Sequence, residues 1–200
     1  MKFVIATGNA HKVEEFSRML KFLDFSAVSA KELGIDMDKA VENGDTFEQN
    51  ALIKAKYACE KSGLAAFADD SGLCVDALDG RPGIYSARYA KTDALRIEKL
   101  LCELEGVEKE KRGAKFVSAI ACVFPDGTSF TVRGETEGQI DFSPKGSGEF
   151  GYDPIFLYEG KSFGEMTGEQ KDAVSHRGRA LEKCLTELKK YIKEEKYADK

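Results

Sequence analysis

A chain of 200 residues with 42% hydrophobic side chains carries enough apolar material for one compact α/β domain or two small lobes. Its formal net charge of -5 argues against nucleic-acid binding through a broad basic face and leaves room for a local basic pocket. No apolar run approaches the roughly 18 residues that cross a membrane, and Met1-Lys2-Phe3-Val4-Ile5-Ala6 is too short for a signal-peptide core, so a cytoplasmic protein is expected. The five cysteines (Cys59, Cys74, Cys102, Cys122 and Cys184) have no paired spacing, and four sit in apolar stretches, as reduced core residues of a cytosolic protein do. With His11 and His176 as the only histidines, a histidine-based zinc site is not expected.

Phe3-Val4-Ile5-Ala6 forms a short strand, and Thr7-Gly8-Asn9 a turn able to cap the helix that Val13, Phe16, Leu20 and Leu23 outline. Thr7-Gly8-Asn9-Ala10-His11-Lys12 therefore stands where a strand feeds a helix N-terminus, a place where backbone N–H groups and the helix dipole favour phosphate. The spacing is not that of a Walker A loop. Lys12 opposes the dipole in a first turn and hints at an anion, although taken alone the stretch reads first as a plain capped helix. Ala27-Val28-Ser29 makes a second strand, and Leu33 to Gly44 an acidic, irregular connector with Asp36, Asp38 and Glu42. Asp45-Thr46-Phe47-Glu48 resembles a capping box opening a helix that passes Tyr57 and Cys59 and closes at Ser62-Gly63. Lys54 and Lys56 fall on different faces of it, so at most one points into a given site.

From Ala65 a short apolar run climbs to Asp69 and Asp70, and Ser71-Gly72 then leads into a second run, which predicts two buried strands joined at a tight corner. Neighbouring side chains of a strand point to opposite faces, so the two acids look the same way only if the corner begins at them. Carboxylates ending a buried strand are costly unless a cation or donors meet them. Mg²⁺, which needs one or two protein carboxylates plus water and phosphates, suits such a pair. A solvated turn is the competing reading, since Asp, Ser and Gly all favour turns.

Gly80 to Tyr89 is a loop dense in turn residues, and Thr92 to Leu104 an amphipathic helix with Leu95, Leu100, Leu101 and Leu104 inward. Glu105 to Lys115 is charged and expected to be solvated. Phe116 to Phe124, Pro125-Asp126-Gly127 and Thr128 to Arg133 make a β-hairpin that continues through Gln139-Ile140. Ser143 to Gly148 is too glycine-rich for regular structure and delivers Phe150-Gly151-Tyr152-Asp153-Pro154 ahead of a short strand, Ile155-Phe156-Leu157. Gly164 to Lys171 is a polar connector. Ser175-His176-Arg177-Gly178 opens a last helix with Leu181, Cys184, Leu185, Leu188 and Ile192 on one face, and Lys193 to Lys200 forms a charged, frayed end.

Taken in order, Thr7-Gly8-Asn9-Ala10-His11-Lys12, Ala68-Asp69-Asp70-Ser71-Gly72-Leu73, Pro82-Gly83-Ile84-Tyr85-Ser86-Ala87-Arg88-Tyr89, Phe150-Gly151-Tyr152-Asp153-Pro154 and Ser175-His176-Arg177 are similar to the motifs of the inosine triphosphate pyrophosphatase family. These enzymes hydrolyse deaminated purine nucleoside triphosphates, and the resemblance runs from Met1 to Tyr191. It implies an α/β fold: an elongated mixed central β-sheet flanked by helices that form two lobes around a long active-site cleft, as a single domain over residues 1–200 with no separable linker. It also implies a homodimer and Mg²⁺-dependent cleavage of ITP, dITP and XTP between the α and β phosphates, giving a monophosphate and pyrophosphate. Carried over by position, Thr7, Gly8, Asn9, Ala10, His11 and Lys12 contact the triphosphate together with Lys54. Glu42, Asp70 and Asp69 form the metal-binding set, Asp70 is the proton acceptor, and Ser71 touches substrate. Phe150, Gly151, Tyr152, Asp153, Lys171, His176 and Arg177 match the base-binding positions.

The chemistry is consistent with that assignment. An acidic protein that takes a triphosphate has to build a local positive pocket, which Lys12, Lys54, Lys171, Arg177 and Mg²⁺ would supply. Phosphoryl transfer is mostly positioning and charge stabilisation, with a base to orient or deprotonate water. Phe150 offers a ring for stacking on the base, and its competing reading is a core aromatic. Donors from His176, Arg177 and backbone N–H groups near Tyr152 would select a purine 6-oxo group; without the resemblance, His176 reads as a solvated residue of a helix start. Two other readings stand against this one. A phosphatase with an aspartyl nucleophile wants Asp-x-Asp after the first strand, where this chain has Thr-Gly-Asn. A nucleotide-binding regulator without turnover would not need an acid pair, a candidate metal carboxylate and several lysines.

Overall fold

The computed structural model describes residues 2–20, 26–147 and 150–198. The chain opens with β1 (Lys2–Ile5), in which Phe3, Val4 and Ile5 are all buried. Consecutive buried residues put apolar side chains on both faces of a strand, which marks a sheet covered on both sides. β1 pairs in parallel with β2 (Ser26–Ser29) and with β3 (Ala65–Val75). Parallel neighbours need crossover connections, and α1 (Ala10–Leu20) and α2 (Phe47–Ser62) lie in them. After α3 (Asp93–Glu103), β4 (Gly113–Val123) and β5 (Ser129–Ile140) flank the predicted Pro125-Asp126-Gly127 turn, where the Asp126 carboxylate accepts from the Thr128 N–H at 2.8 Å. β6 (Phe156–Tyr158) and β7 (Lys161–Ser162) add on antiparallel. The result is an α/β fold with a mixed seven-stranded sheet in the order β2-β1-β3-β4-β5-β6-β7, followed by α4 (Gly168–Val174) and α5 (His176–Ala198).

The chain divides into two compact units, each with its own core. The first comprises Met1–Asp70, Ser118–Gly134 and Arg177–Lys200. Its core joins Phe3, Ile5 and Phe67 to Ile120, Cys122 and Phe124 and to Leu181, Cys184 and Leu188, with the Phe3 and Phe67 rings stacked at 4.4 Å. The second comprises Ser71–Val117 and Glu135–His176, with Leu73, Val75, Leu100, Leu104, Phe116, Phe156 and Phe163 inside. Burying one such side chain stabilises the fold by about 1.5–3 kcal/mol.

Several sequence expectations are corrected. The corner at Ser71-Gly72 does not form: β3 runs unbroken from Ala65 to Val75, because burial along the whole strand outweighs the turn preference of Ser and Gly. Leu95 is exposed, and Ile97 takes the inward position on α3. The helix cap before α2 is Thr46, one residue later than expected, with its side chain accepting from the Gln49 N–H; Glu48 instead pairs with Arg133 at 2.9 Å. Leu33 to Gly44 includes a short 3-10 turn at Met37–Lys39, just after another at Lys31–Leu33. In the stretch expected to be solvated, Arg112 and Ala114 are buried as β4 begins. The supposed connector from Gly164 to Lys171 folds into a 3-10 turn (Phe163–Glu165) and the start of α4, each opened by a complete capping box, Ser162 with Glu165 and Thr167 with Gln170. Helix α5 continues to Ala198 through much of the predicted frayed end. Leu23 and Gly148 lie outside the described residues.

None of the five cysteines is in a disulfide; Cys59, Cys122 and Cys184 are buried, Cys74 half-buried and Cys102 exposed. Burial pushes the Cys184 thiol up to about 12, and burial with Cys184 and Cys59 nearby pushes Cys122 up as well. These thiols ionise first in the unfolded chain, which then binds fewer protons than the folded one, so stability falls as pH rises above the ordinary thiol range. The expected slope is about 1.4 kcal/mol per pH unit for each buried thiol. Urea melts between neutral and alkaline pH check this: Cys184→Ala should start less stable and lose stability more slowly, and identical slopes would refute it.

Candidate active site

The end of β1 is tied to β3 by the Ala6 N–H, which donates to the Phe67 carbonyl at 2.7 Å. The chain then turns through Thr7-Gly8-Asn9. The Thr7 hydroxyl oxygen accepts from the Asn9 N–H at 3.1 Å, and the Asn9 side-chain oxygen Oδ1 accepts from the Lys12 N–H at 3.3 Å, so Asn9 caps α1. Ala10 opens that helix, Gly8, Asn9 and His11 are exposed, and Thr7 is half-buried.

Because β3 is continuous, Asp69 and Asp70 point to opposite faces, and each meets different cations. Lys12 Nζ lies 2.6 Å from Asp69 Oδ2 and Arg177 Nη2 3.4 Å from the same oxygen, while the Ser118 hydroxyl donates to Oδ1. Arg177 also forms a short pair with Glu15. Burial alone would raise the Asp69 carboxyl, but Lys12 and Arg177 outweigh it and hold it far below the usual carboxylate range. Burial lowers the Lys12 ammonium against the opposing pull of Asp69. On the other face, Lys54 Nζ bridges Asp70 Oδ1 at 2.8 Å and Glu42 Oε2 at 3.0 Å. Burial raises the Asp70 carboxyl above its ordinary value despite Lys54, and it would lower Lys54 if Asp70 and Glu42 did not more than compensate, leaving that ammonium raised. The second oxygen of Asp70, Oδ2, is buried with no hydrogen-bond partner among the described residues.

These contacts sort the three candidate metal carboxylates. Asp69 is occupied by two cations and a hydroxyl. Glu42 and Asp70 already converge on one positive charge, and Asp70 keeps a bare buried oxygen of the kind a divalent ion satisfies. Among the described residues no three His, Cys, Asp or Glu side chains converge on a ready-made metal cage. A two-carboxylate set fits Mg²⁺, which fills its remaining positions with water and phosphate oxygens.

The base-binding candidates, apart from Arg177, belong to the second unit, as does Ser71, which is half-buried on β3. Lys171 Nζ bonds Asp153 Oδ2 at 2.6 Å and stands 5.0 Å from the Phe150 ring centroid. The Gly151 N–H donates to Asp93 Oδ2 at 2.8 Å, and the buried Tyr152 hydroxyl donates to the Ser86 carbonyl at 3.0 Å. The His176 ring is buried and stacks on Phe116 at 4.7 Å, so the solvated reading of this histidine does not hold. His176 and Arg177, neighbours in sequence, belong to different units, and the Arg177 guanidinium is spent on Glu15 and Asp69. A cavity of 750 Å³ beside α3 is lined by Asp93, Ile97, Leu101 and Pro154, and by none of the base-binding candidates.

Sequence reasoning missed Glu15, Ser118 and Asp93. Glu15 carries no turn or motif signal on α1, and Ser118 sits in an apolar strand; Asp93 marked only the start of a helix.

Comparison with known proteins gives concordant results. The model of the Ham1 family matches residues 3–187. A dITP/XTP pyrophosphatase of Symbiobacterium thermophilum is 45% identical over 195 residues, covering 96% of this chain and 98% of that protein. One from Geobacter sulfurreducens is 48% identical over 185 residues, covering 90% and 92%. Among solved structures, a Ham1 protein from Staphylococcus aureus superposes with a TM-score of 0.84 at 37% identity, covering 96% of this chain and all of that one. A HAM1 protein from Coxiella burnetii gives 0.83 at 38%, covering 95% and 99%. With its motifs in order, its fold shared and its length matched almost end to end, this chain belongs to the Ham1 family.

Proposed function

We propose that this protein hydrolyses non-standard purine nucleoside triphosphates (dITP, ITP and XTP) to the monophosphate and pyrophosphate with Mg²⁺, keeping deaminated purines out of the cytoplasmic nucleotide pool, and that it works as a homodimer. The relatives' names support the substrate class. The observation that carries the chemistry is Asp70: a buried carboxylate raised in pKa, sharing Lys54 with Glu42 and keeping one oxygen bare.

Glu42 and Asp70 would hold the ion. When bound, it neutralises charge on the pyrophosphate leaving group and acidifies water. The chain's own residues do the rest. The Thr7 to Lys12 turn offers backbone N–H groups at a helix start, and Lys12 and Lys54 add positive charge for the phosphates. Asp70 accepts the proton of the attacking water; a raised pKa makes it the better base of the two aspartates, since Asp69 is held ionised by its cations and binds protons poorly. In the second unit, Phe150 stacks on the base, and Lys171, fixed by Asp153, lies near the ring.

Product analysis with ITP, XTP, GTP and ATP tests the reading. Pyrophosphate should be released from ITP and XTP, with ATP disfavoured in kcat/KM by a factor on the order of 10⁴, because donors aimed at a 6-oxo group face an amine in adenine. GTP shares the 6-oxo group and should be rejected less. Equal rates on ITP and ATP would sink the donor pocket, orthophosphate as product would move the attack to another phosphorus, and tight binding without turnover would indicate a regulator.

A further inference from the structure

We propose that Asn50 is a positioning residue for Glu42: together with Lys54 it straps residues 42–44 to one face of α2, so that the Glu42 carboxylate is held ready for a divalent cation. The proposal rests on the reading of Glu42 as a metal carboxylate.

Asn50 is wholly buried, which an amide tolerates only when it is bonded. Its Oδ1 accepts from the Gly44 N–H at 2.9 Å. A backbone N–H can only donate, so this contact fixes which end of the amide is oxygen. Asn50 Nδ2 is buried with no partner among the described residues, a desolvation cost that an alanine at this position would avoid. The bond to Gly44 is what the amide provides in return.

Lys54 follows four residues later, on the same face of the helix. It reaches Glu42 at 3.0 Å, so one side chain holds the carboxylate and the other the backbone two residues on. A third tie follows at once, where Gln49 Oε1 accepts from the Asp45 N–H at 2.7 Å. Gly44 is part of the same arrangement. A Cβ there would lie 2.6 Å from Gln49 Cβ and 2.9 Å from Asn50 Oδ1, so any larger residue would push the segment off the helix. Lysine alone is a loose restraint, being a point charge on a flexible stem. When its ammonium turns to a phosphate, the Asn50–Gly44 bond still fixes the segment.

The test is calorimetric titration of Mg²⁺ into the protein with inorganic pyrophosphate, together with hydrogen exchange at the Gly44 amide, for the wild type, Asn50→Ala, Asn50→Asp and Gly44→Ala. Asn50→Ala should weaken Mg²⁺ binding by about 10–100-fold, the usual cost of losing a partner behind a metal ligand, and speed exchange at Gly44. Asn50→Asp keeps an acceptor oxygen and should keep Gly44 protected. Gly44→Ala leaves Asn50 intact and should weaken Mg²⁺ as Asn50→Ala does, which keeps the test open if Asn50→Ala folds poorly. Faster exchange at Gly44 with unchanged Mg²⁺ affinity would overturn the proposal while leaving the functional reading standing. A wild-type protein that neither binds Mg²⁺ with pyrophosphate nor hydrolyses ITP would overturn both.

Discussion

Asp69→Asn is expected to lower the free energy of unfolding by about 3–5 kcal/mol, the cost of leaving a buried charge without its partner. The side chain keeps its shape and loses its charge, so Lys12 and Arg177 remain inside the first unit facing a neutral amide. Glu15 still meets Arg177, which makes Lys12 the more exposed to the loss. Urea unfolding at neutral pH reads the effect directly, and a loss below about 1 kcal/mol, typical of exposed pairs, would mean that water already screens the cluster. The pH dependence follows from the direction of the shift. A carboxyl held below its unfolded value contributes stability that is fully present above that unfolded value and is lost as pH falls through the folded one. Asp69→Asn should therefore show a flatter stability curve on the acid side than the wild type.

Asp70→Asn is expected to leave the fold intact and to lower kcat for ITP by about 10²–10⁴-fold, the usual worth of a general base. Asparagine can still accept from Lys54, whose ammonium also keeps Glu42, so no buried charge is left bare. With Asp70 in its proposed role as base, wild-type activity should be lost as pH falls through the Asp70 pKa. Burial raises that pKa, so the acid limb of kcat/KM should lie above the ordinary aspartate range. Near-wild-type turnover by Asp70→Asn would remove Asp70 from proton transfer. A matching loss of Mg²⁺ affinity by calorimetry would assign its role to the metal instead.

Much of the architecture was legible because local signals and tertiary packing agreed. The Pro125-Asp126-Gly127 hairpin, the strand feeding α1 and the separation of Lys54 from Lys56 all follow from short-range rules, and the chain obeys them. The Ser71-Gly72 corner was misread because turn preference is a weak local quantity, and burial within the sheet overrides it. Helix α4 escaped notice because it has only seven residues, with Ala173 and Val174 its only apolar side chains, leaving its caps as the sole cue. Leu95 and Ile97 are two positions apart, about 200° around a helix, and it is Ile97 that completes the i, i+3, i+4, i+7 stripe with Leu100, Leu101 and Leu104, so periodicity applied strictly would have selected it. Within the site, Lys12, Glu42, Lys54, Asp69, Asp70 and Arg177 could be named, but not which meets which, nor the further partners Ser118 and Glu15. Ser118 lies 49 residues from Asp69, and Glu15 lies 162 from Arg177. No local pattern in a single sequence records such distances.

The division of the chain into two units also bears on how the protein can change over generations. The sequence passes from one unit to the other after Asp70, Val117, Gly134 and His176, so neither unit is a continuous stretch. Two of these passages split the Asp69-Asp70-Ser71 and His176-Arg177 motifs themselves. Recombination, which trades contiguous segments, cannot exchange either unit whole without cutting through the proposed site residues. New substrate preferences in this lineage should therefore arise by point substitution within each unit and not by module shuffling.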